Sequence, residues 1–191
     1  MTYKSLYESI QSHELPINRN FVREKIIEVA RVQKLTIVAS GLDTNVCRGY
    51  FLHAQNTENP LVRQCGGYVV VFARSLNRCW QRLVITKEMM HLFDNEEAAT
   101  DTGEKFEHAL SELFEVSSPS PSLQTQSEFN CFWMALGILC PEHLRQKFMK
   151  DRKSGHLDDY SIALKLRIPE RYVPRLFTAR YQQEIERLLR N

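Results

Sequence analysis

The spacing of apolar residues along the chain changes from helical to extended and back. Over residues 21–33 (FVREKIIEVARVQ), Phe21, Ile26, Val29, Ala30 and Gln33 recur at helical intervals, which predicts an amphipathic helix. KLTIVAS (34–40) is short and β-branched and predicts a strand. Residues 46–53 (VCRGYFLH) predict a second strand, with Gly49 permitting a bend or bulge. AQNTENP then predicts a polar turn or loop. Gly66 and Gly67 open YVVVFA (68–73), the strongest strand signal of the chain. Its unbroken apolar run predicts burial on both faces.

From Leu76 the period turns helical again, through Trp80, Leu83, Val84, Lys87 and His91. Residues 101–115 (DTGEKFEHALSELFE) predict a further helix, with Phe106, Ala109, Leu110 and Leu113 on one side. VSSPSPSLQTQ (116–126) predicts an exposed loop, because its prolines and serines break both periodicities. A helix is expected from about Ser127 to just before Pro141, and short helices after it. The order of elements predicts an α+β protein: a small β-sheet packed on helices, with a helical C-terminal part. The expected organisation is a first unit over residues 1–141 and a helical region over 142–191.

Composition narrows the class. A chain of 191 residues with 43% hydrophobic side chains can bury a real core, which excludes a disordered polymer. The opening MTYKSLYESIQSHELP has no apolar signal core, and the run from Cys131 to Cys140 is half of the roughly 20 residues a membrane span needs. A cytoplasmic protein with no membrane partner is therefore expected. The five cysteines are odd in number and none form a CxxC pair. That argues for free thiols in a reducing compartment and against a disulfide framework or a cysteine zinc finger. Neither a phosphate-binding glycine loop nor a G-x-S-x-G nucleophile elbow is present in the sequence.

The informative segment is Thr86-Lys87-Glu88-Met89-Met90-His91. On a helix, Lys87 and His91 share a face with Trp80 and Val84, so a lysine stands on a stripe that should meet the core. A buried ammonium is costly without a partner, and it either finds a carboxylate or carries its head to solvent. H-E-x-x-H places two imidazoles on one helical face for zinc, with the glutamate as general base. This chain has K-E-M-M-H, which keeps Glu88 and His91 and lacks the first histidine.

The flanks extend the match. The strand YVVVFARS followed by LNRCWQRLVITKEMMHLF resembles the ImmA/IrrE family of zinc metallopeptidases. The segment from Glu128 to Pro141 (EFNCFWMALGILCP) is similar to the family helix that supplies the third zinc ligand and closes on a proline. Aligned on Pro141, Glu128 takes the first acidic position of that helix and Asn130 the second. Residues 160–177 (YSIALKLRIPERYVPRLF) resemble the segment that follows in the family. The resemblance implies a zincin-like fold, with Glu88 at the base position and His91 and Glu128 at metal-ligand positions. Lys87 stands at the first ligand position. A protonated lysine has no lone pair to donate and repels Zn²⁺. Two ligands remain where catalytic zinc normally takes three, so no bound cofactor is expected, with zinc as the alternative if His108 or a cysteine completes the set. The Lys87 ammonium is then expected to pair with Glu88 or Glu128 near the vacated metal position.

Charge is unevenly spread. The total is +2, but residues 143–191 carry 12 basic and 6 acidic side chains, against 13 and 17 over the remaining 142. Ile162, Ala163, Leu166, Ile168, Val173 and Leu176 have the core spacing of a helix-turn-helix broken at Arg167-Ile168-Pro169. Arg171, Arg175 and Arg180 would line its second helix and could meet phosphates. Three functions follow from the resemblance and the charge. The leading expectation is a catalytically impaired regulator that binds a protein partner, such as a helix-turn-helix transcription regulator. The second is an active zinc endopeptidase that cleaves such a repressor, with Glu88 taking a proton from water. The third is a DNA-binding regulator using the C-terminal arginines.

Overall fold

The computed structural model describes residues 2–94 and 122–190. The helix expected over 101–115, and His108 within it, lie outside the described residues. The described part is α+β, a three-stranded sheet among helices. Helix α1 (Tyr3–Ile10) precedes α2 (Arg19–Ala30), strands β1 (Leu35–Ser40) and β2 (Gly49–Leu52), helix α3 (Pro60–Cys65), and β3 (Tyr68–Ala73). Next come α4 (Arg78–Met89), which tightens into a 3₁₀ turn over Met90–Phe93, then α5 (Leu123–Leu139), α6 (Glu142–Lys153) and α7 (Asp159–Leu166). A 3₁₀ segment (Glu170–Phe177) and helix α8 (Ala179–Arg190) end the described chain.

Helix starts follow local chemistry. Asn18, Asn77, Ser122 and Asp158 each offer a side-chain oxygen to a backbone N–H of the first turn, capping α2, α4, α5 and α7. Asn59 does the same for α3, with Pro60 at its first position. Helix α2 stops three residues before the expected Gln33, where Arg31 turns into the left-handed region at φ 49°.

The central strand is β3. It pairs parallel with β1 from Leu35 opposite Tyr68 to Ser40 opposite Ala73, and antiparallel with β2 from Gly49 opposite Phe72 to Leu52 opposite Val69. Its two faces enter different clusters. Val70 and Phe72 join the main core, while Val69 and Val71 pack with Leu52 and Val62 beneath α3. That two-residue alternation is why the strand reads as continuously apolar. The main core continues across Pro141: Val22, Ile26 and Leu35 share it with Leu166, Val173, Tyr181 and Leu188.

Four expectations are corrected. The strand expected over Val46–His53 is only Gly49–Leu52. Residues 123–126 are helical and not loop, because the Ser122 cap starts α5 upstream of Ser127. Helix α4 begins at Arg78, two residues after Leu76, because Asn77 is its cap. The second helix of the expected helix-turn-helix is a 3₁₀ segment with Pro174 inside it. Its expected core residues are nonetheless all buried. Arg145 locks α6 to this segment, donating to both Glu142 carboxylate oxygens at 2.7 Å and to the Leu176 carbonyl at 3.0 Å.

Candidate functional site

The C-terminal end of α4 faces the first half of α5, and the sheet fixes where α4 lies. At Gly49 a Cβ would come within 2.5 Å of Val84 Cγ1 and 2.8 Å of the Val71 carbonyl. Only glycine lets β2 approach the α4 turn that carries Glu88. Phe51 of β2 stacks on the His91 ring at a centroid distance of 5.9 Å and an interplanar angle of 18°.

Lys87, Glu88, His91 and Glu128 converge there. Glu88 and His91 are only 3% and 5% exposed, and the Lys87 side chain 17%. Lys87 Nζ donates to Glu88 Oε1 at 3.0 Å and also to Glu128 Oε2, so the ammonium bridges the two carboxylates. His91 Nε2 lies 3.5 Å from Glu88 Oε2 and 3.4 Å from Glu128 Oε1. The other ring nitrogen, Nδ1, lies 3.4 Å from Ser127 Oγ.

The electrostatics are mutually reinforcing. Burial disfavours a charged Lys87, but Glu128 and Glu88 outweigh it and raise its pKa above the ordinary lysine value. Burial disfavours an ionised Glu128, but Lys87 and His91 hold its carboxyl well below the usual carboxylate range. Burial also opposes charge on His91, yet Cys131, Glu128 and Glu88 hold its pKa well above the ordinary imidazole value. With both bases charged, two cations face two carboxylates. Lys87 is thus a partnered buried lysine, not one that snorkels.

A second group adjoins the first through the His91 ring. A nitrogen of His91, the Cys131 thiol and an Asp94 carboxylate oxygen all lie within 4.8 Å of one another. Asp94 Oδ1 accepts from Asn130 Nδ2 at 3.4 Å, and Asn130 Oδ1 accepts from Arg187 at 2.6 Å and from Gln126 at 3.0 Å. Asp94 Oδ2 is buried and accepts no hydrogen bond among the described residues. Sequence reasoning left Asp94 unremarked. Its place one helical turn after His91 was the available signal.

The expected phosphate-binding arginines do not share one helix. Arg171 and Arg175 lie in the 3₁₀ segment and Arg180 on α8. Arg171 stacks over Trp80 at 4.6 Å, with Arg48 over the same indole at 4.2 Å, and Arg180 lies 3.8 Å from Glu184. All five cysteines are free thiols; Cys131 and Cys140 are buried, and Cys47, Cys65 and Cys79 half-buried. Among the described residues no helix is long and apolar enough to cross a membrane. No family model matches the chain, and no curated protein matches it.

Proposed function

We propose that this protein is an ImmA/IrrE-like regulator of zincin-like fold in which a lysine-centred ion cluster has replaced the catalytic zinc, and that it works by binding a protein partner. One observation carries the reading: the Lys87 ammonium bridges Glu88 and Glu128, the residues at the base and third-ligand positions of the resemblance. The donor set does not fit the family's zinc. One imidazole and one carboxylate remain, and that carboxylate already holds a cation. Glu88 Oε1 already accepts from the Lys87 ammonium, so that oxygen is engaged in the cluster. The cluster then serves the fold, tying the end of α4 to α5. The expected partner is a helix-turn-helix regulator of transcription, acting in the cytoplasm.

The test co-expresses the protein with helix-turn-helix regulators encoded beside it. A stable complex on gel filtration with the regulator uncut is the expected outcome. Cleavage of the regulator that is lost on Glu88→Gln overturns the reading in favour of a working peptidase. Lys87→His restores the missing ligand type, and in that variant zinc binding that depends on Glu128 is expected.

A further inference from the structure

We infer that His91, Asp94 and Cys131 form a divalent-metal site of zinc type, offset by one imidazole ring from the Lys87 cluster. The site shares only His91 with the peptidase-type position, and the inference holds whether or not the protein acts by binding a partner.

The geometry comes first. A nitrogen, a sulfur and a carboxylate oxygen lie within 4.8 Å of one another. Ligands on a tetrahedral zinc, with bonds of about 2.0–2.3 Å, stand about 3.3–3.8 Å apart. Closing the three onto one ion takes movements of about 1 Å, within reach of side-chain rotation alone.

His91 is oriented as metal-binding histidines are. In such sites one ring nitrogen is held by a carboxylate and the other carries the lone pair to the metal. Glu88 and Glu128 both face Nε2, at 3.5 and 3.4 Å. Nδ1 lies 3.4 Å from Ser127 Oγ of α5, and Cys131 stands one turn further along that helix. The carboxylates of the Lys87 cluster therefore take the supporting role for the new site. They fix the ring while Lys87 balances their charge.

Asp94 supplies a second observation that points to a cation. Its Oδ2 is shielded from solvent and accepts no hydrogen bond among the described residues, a rare and costly state for a carboxylate oxygen. Its Oδ1 is steadied by Asn130, which Arg187 holds in turn. A metal ion at this point satisfies Oδ2.

The donor chemistry selects the ion. One thiolate, one imidazole and one carboxylate suit zinc or cobalt and not calcium or magnesium, which take oxygen ligands. Binding releases the Cys131 thiol proton and any Nδ1 proton to solvent, with no change of oxidation state.

The full-length protein, stripped with a chelator, is titrated with Co²⁺. One Co²⁺ per chain is expected, with a thiolate-to-cobalt charge-transfer band that added Zn²⁺ abolishes. Cys131→Ser should remove the band, while Cys79→Ser leaves it intact. Asp94→Asn keeps size and thiol, and should weaken zinc binding by about tenfold or more with an unchanged circular dichroism spectrum. It carries the test if Cys131→Ser fails to fold. No band in the wild-type protein overturns the inference. So does a band that survives Cys131→Ser, or metal binding that needs Glu128 and is indifferent to Asp94 and Cys131.

Discussion

The two halves of α5 bury their residues by opposite means. The first half turns Ser127, Glu128 and Cys131 toward the end of α4, where Lys87, Glu88, His91 and Glu128 depend on one another. The second half, from Trp133 to Leu139, enters an apolar core with α1 and α8. There Tyr3 Oη donates to the Met134 carbonyl at 3.0 Å, and Gly137 lets both helices close in. In the apolar half a change costs what it removes in packing. In the polar half it costs more, because the group left behind is charged and buried.

pH should separate the halves most strongly. In the apolar half, burial pushes the Cys140 thiol from 9.0 up to about 12 and the Tyr7 phenol from 10.0 up to about 12, and raises Tyr3 and Tyr181 as well. Raised acids contribute stability that is complete below their unfolded values and lost as pH climbs toward about 12. At about 1.4 kcal/mol per pH unit, Cys140 alone accounts for a loss of about 4 kcal/mol. The polar half responds at both ends, since the His91 imidazole, held well above its ordinary value, contributes stability that is complete below 6.5 and lost as pH rises. The Glu128 carboxyl is depressed, so its contribution is present above 4.5 and disappears as pH falls below it. Urea midpoints across pH should therefore fall on both sides. A flat acid limb would break the contrast.

Lys87→Met ranks next. It leaves the nearly inaccessible Glu88 beside Glu128 with only His91 as a cation, and should cost about 3 kcal/mol in urea unfolding. Adding Glu88→Gln should recover part of the loss. A cost below about 1 kcal/mol would mean that solvent screens the cluster as it does a surface pair.

Gly137→Val should cost about 2 kcal/mol, because even a Cβ at this position would lie 2.5 Å from Tyr3 Oη and 3.0 Å from Ile185 Cδ1. Gly137→Ala should cost less, since alanine's helix propensity offsets about 1 kcal/mol. Tyr3→Phe is the smallest change, about 1 kcal/mol for one buried hydrogen bond. Combined with Gly137→Ala it should cost less than the two separately, because it removes the nearest clashing atom. Strict additivity in thermal melts would show that Tyr3 does not set the packing at Gly137.

Much of the architecture was legible in periodicity. YVVVFA alternates between two clusters as its apolar run implied, and α4 shows its capping asparagine one residue ahead of its first turn. Helix α1 carries the same signal, since Tyr3, Leu6, Tyr7 and Ile10 follow helical spacing and are all buried. Helix α3 does not, because six residues are too few for a period to register. The 3₁₀ segment was misread as α-helix because its buried residues keep helical spacing while Pro174 lacks the N–H an α-helix would use.

The sequence by itself determined the α+β class, the central strand and the anomaly of a lysine on an apolar stripe, since these depend on residues a few positions apart. Only the tertiary structure decided what that lysine does. Glu128 lies 41 residues from Lys87, and Cys131 lies 37 from Asp94. No local spacing encodes those meetings. They arise because Gly49 lets the sheet press on α4 and because the capped start of α5 turns its polar half toward the same point.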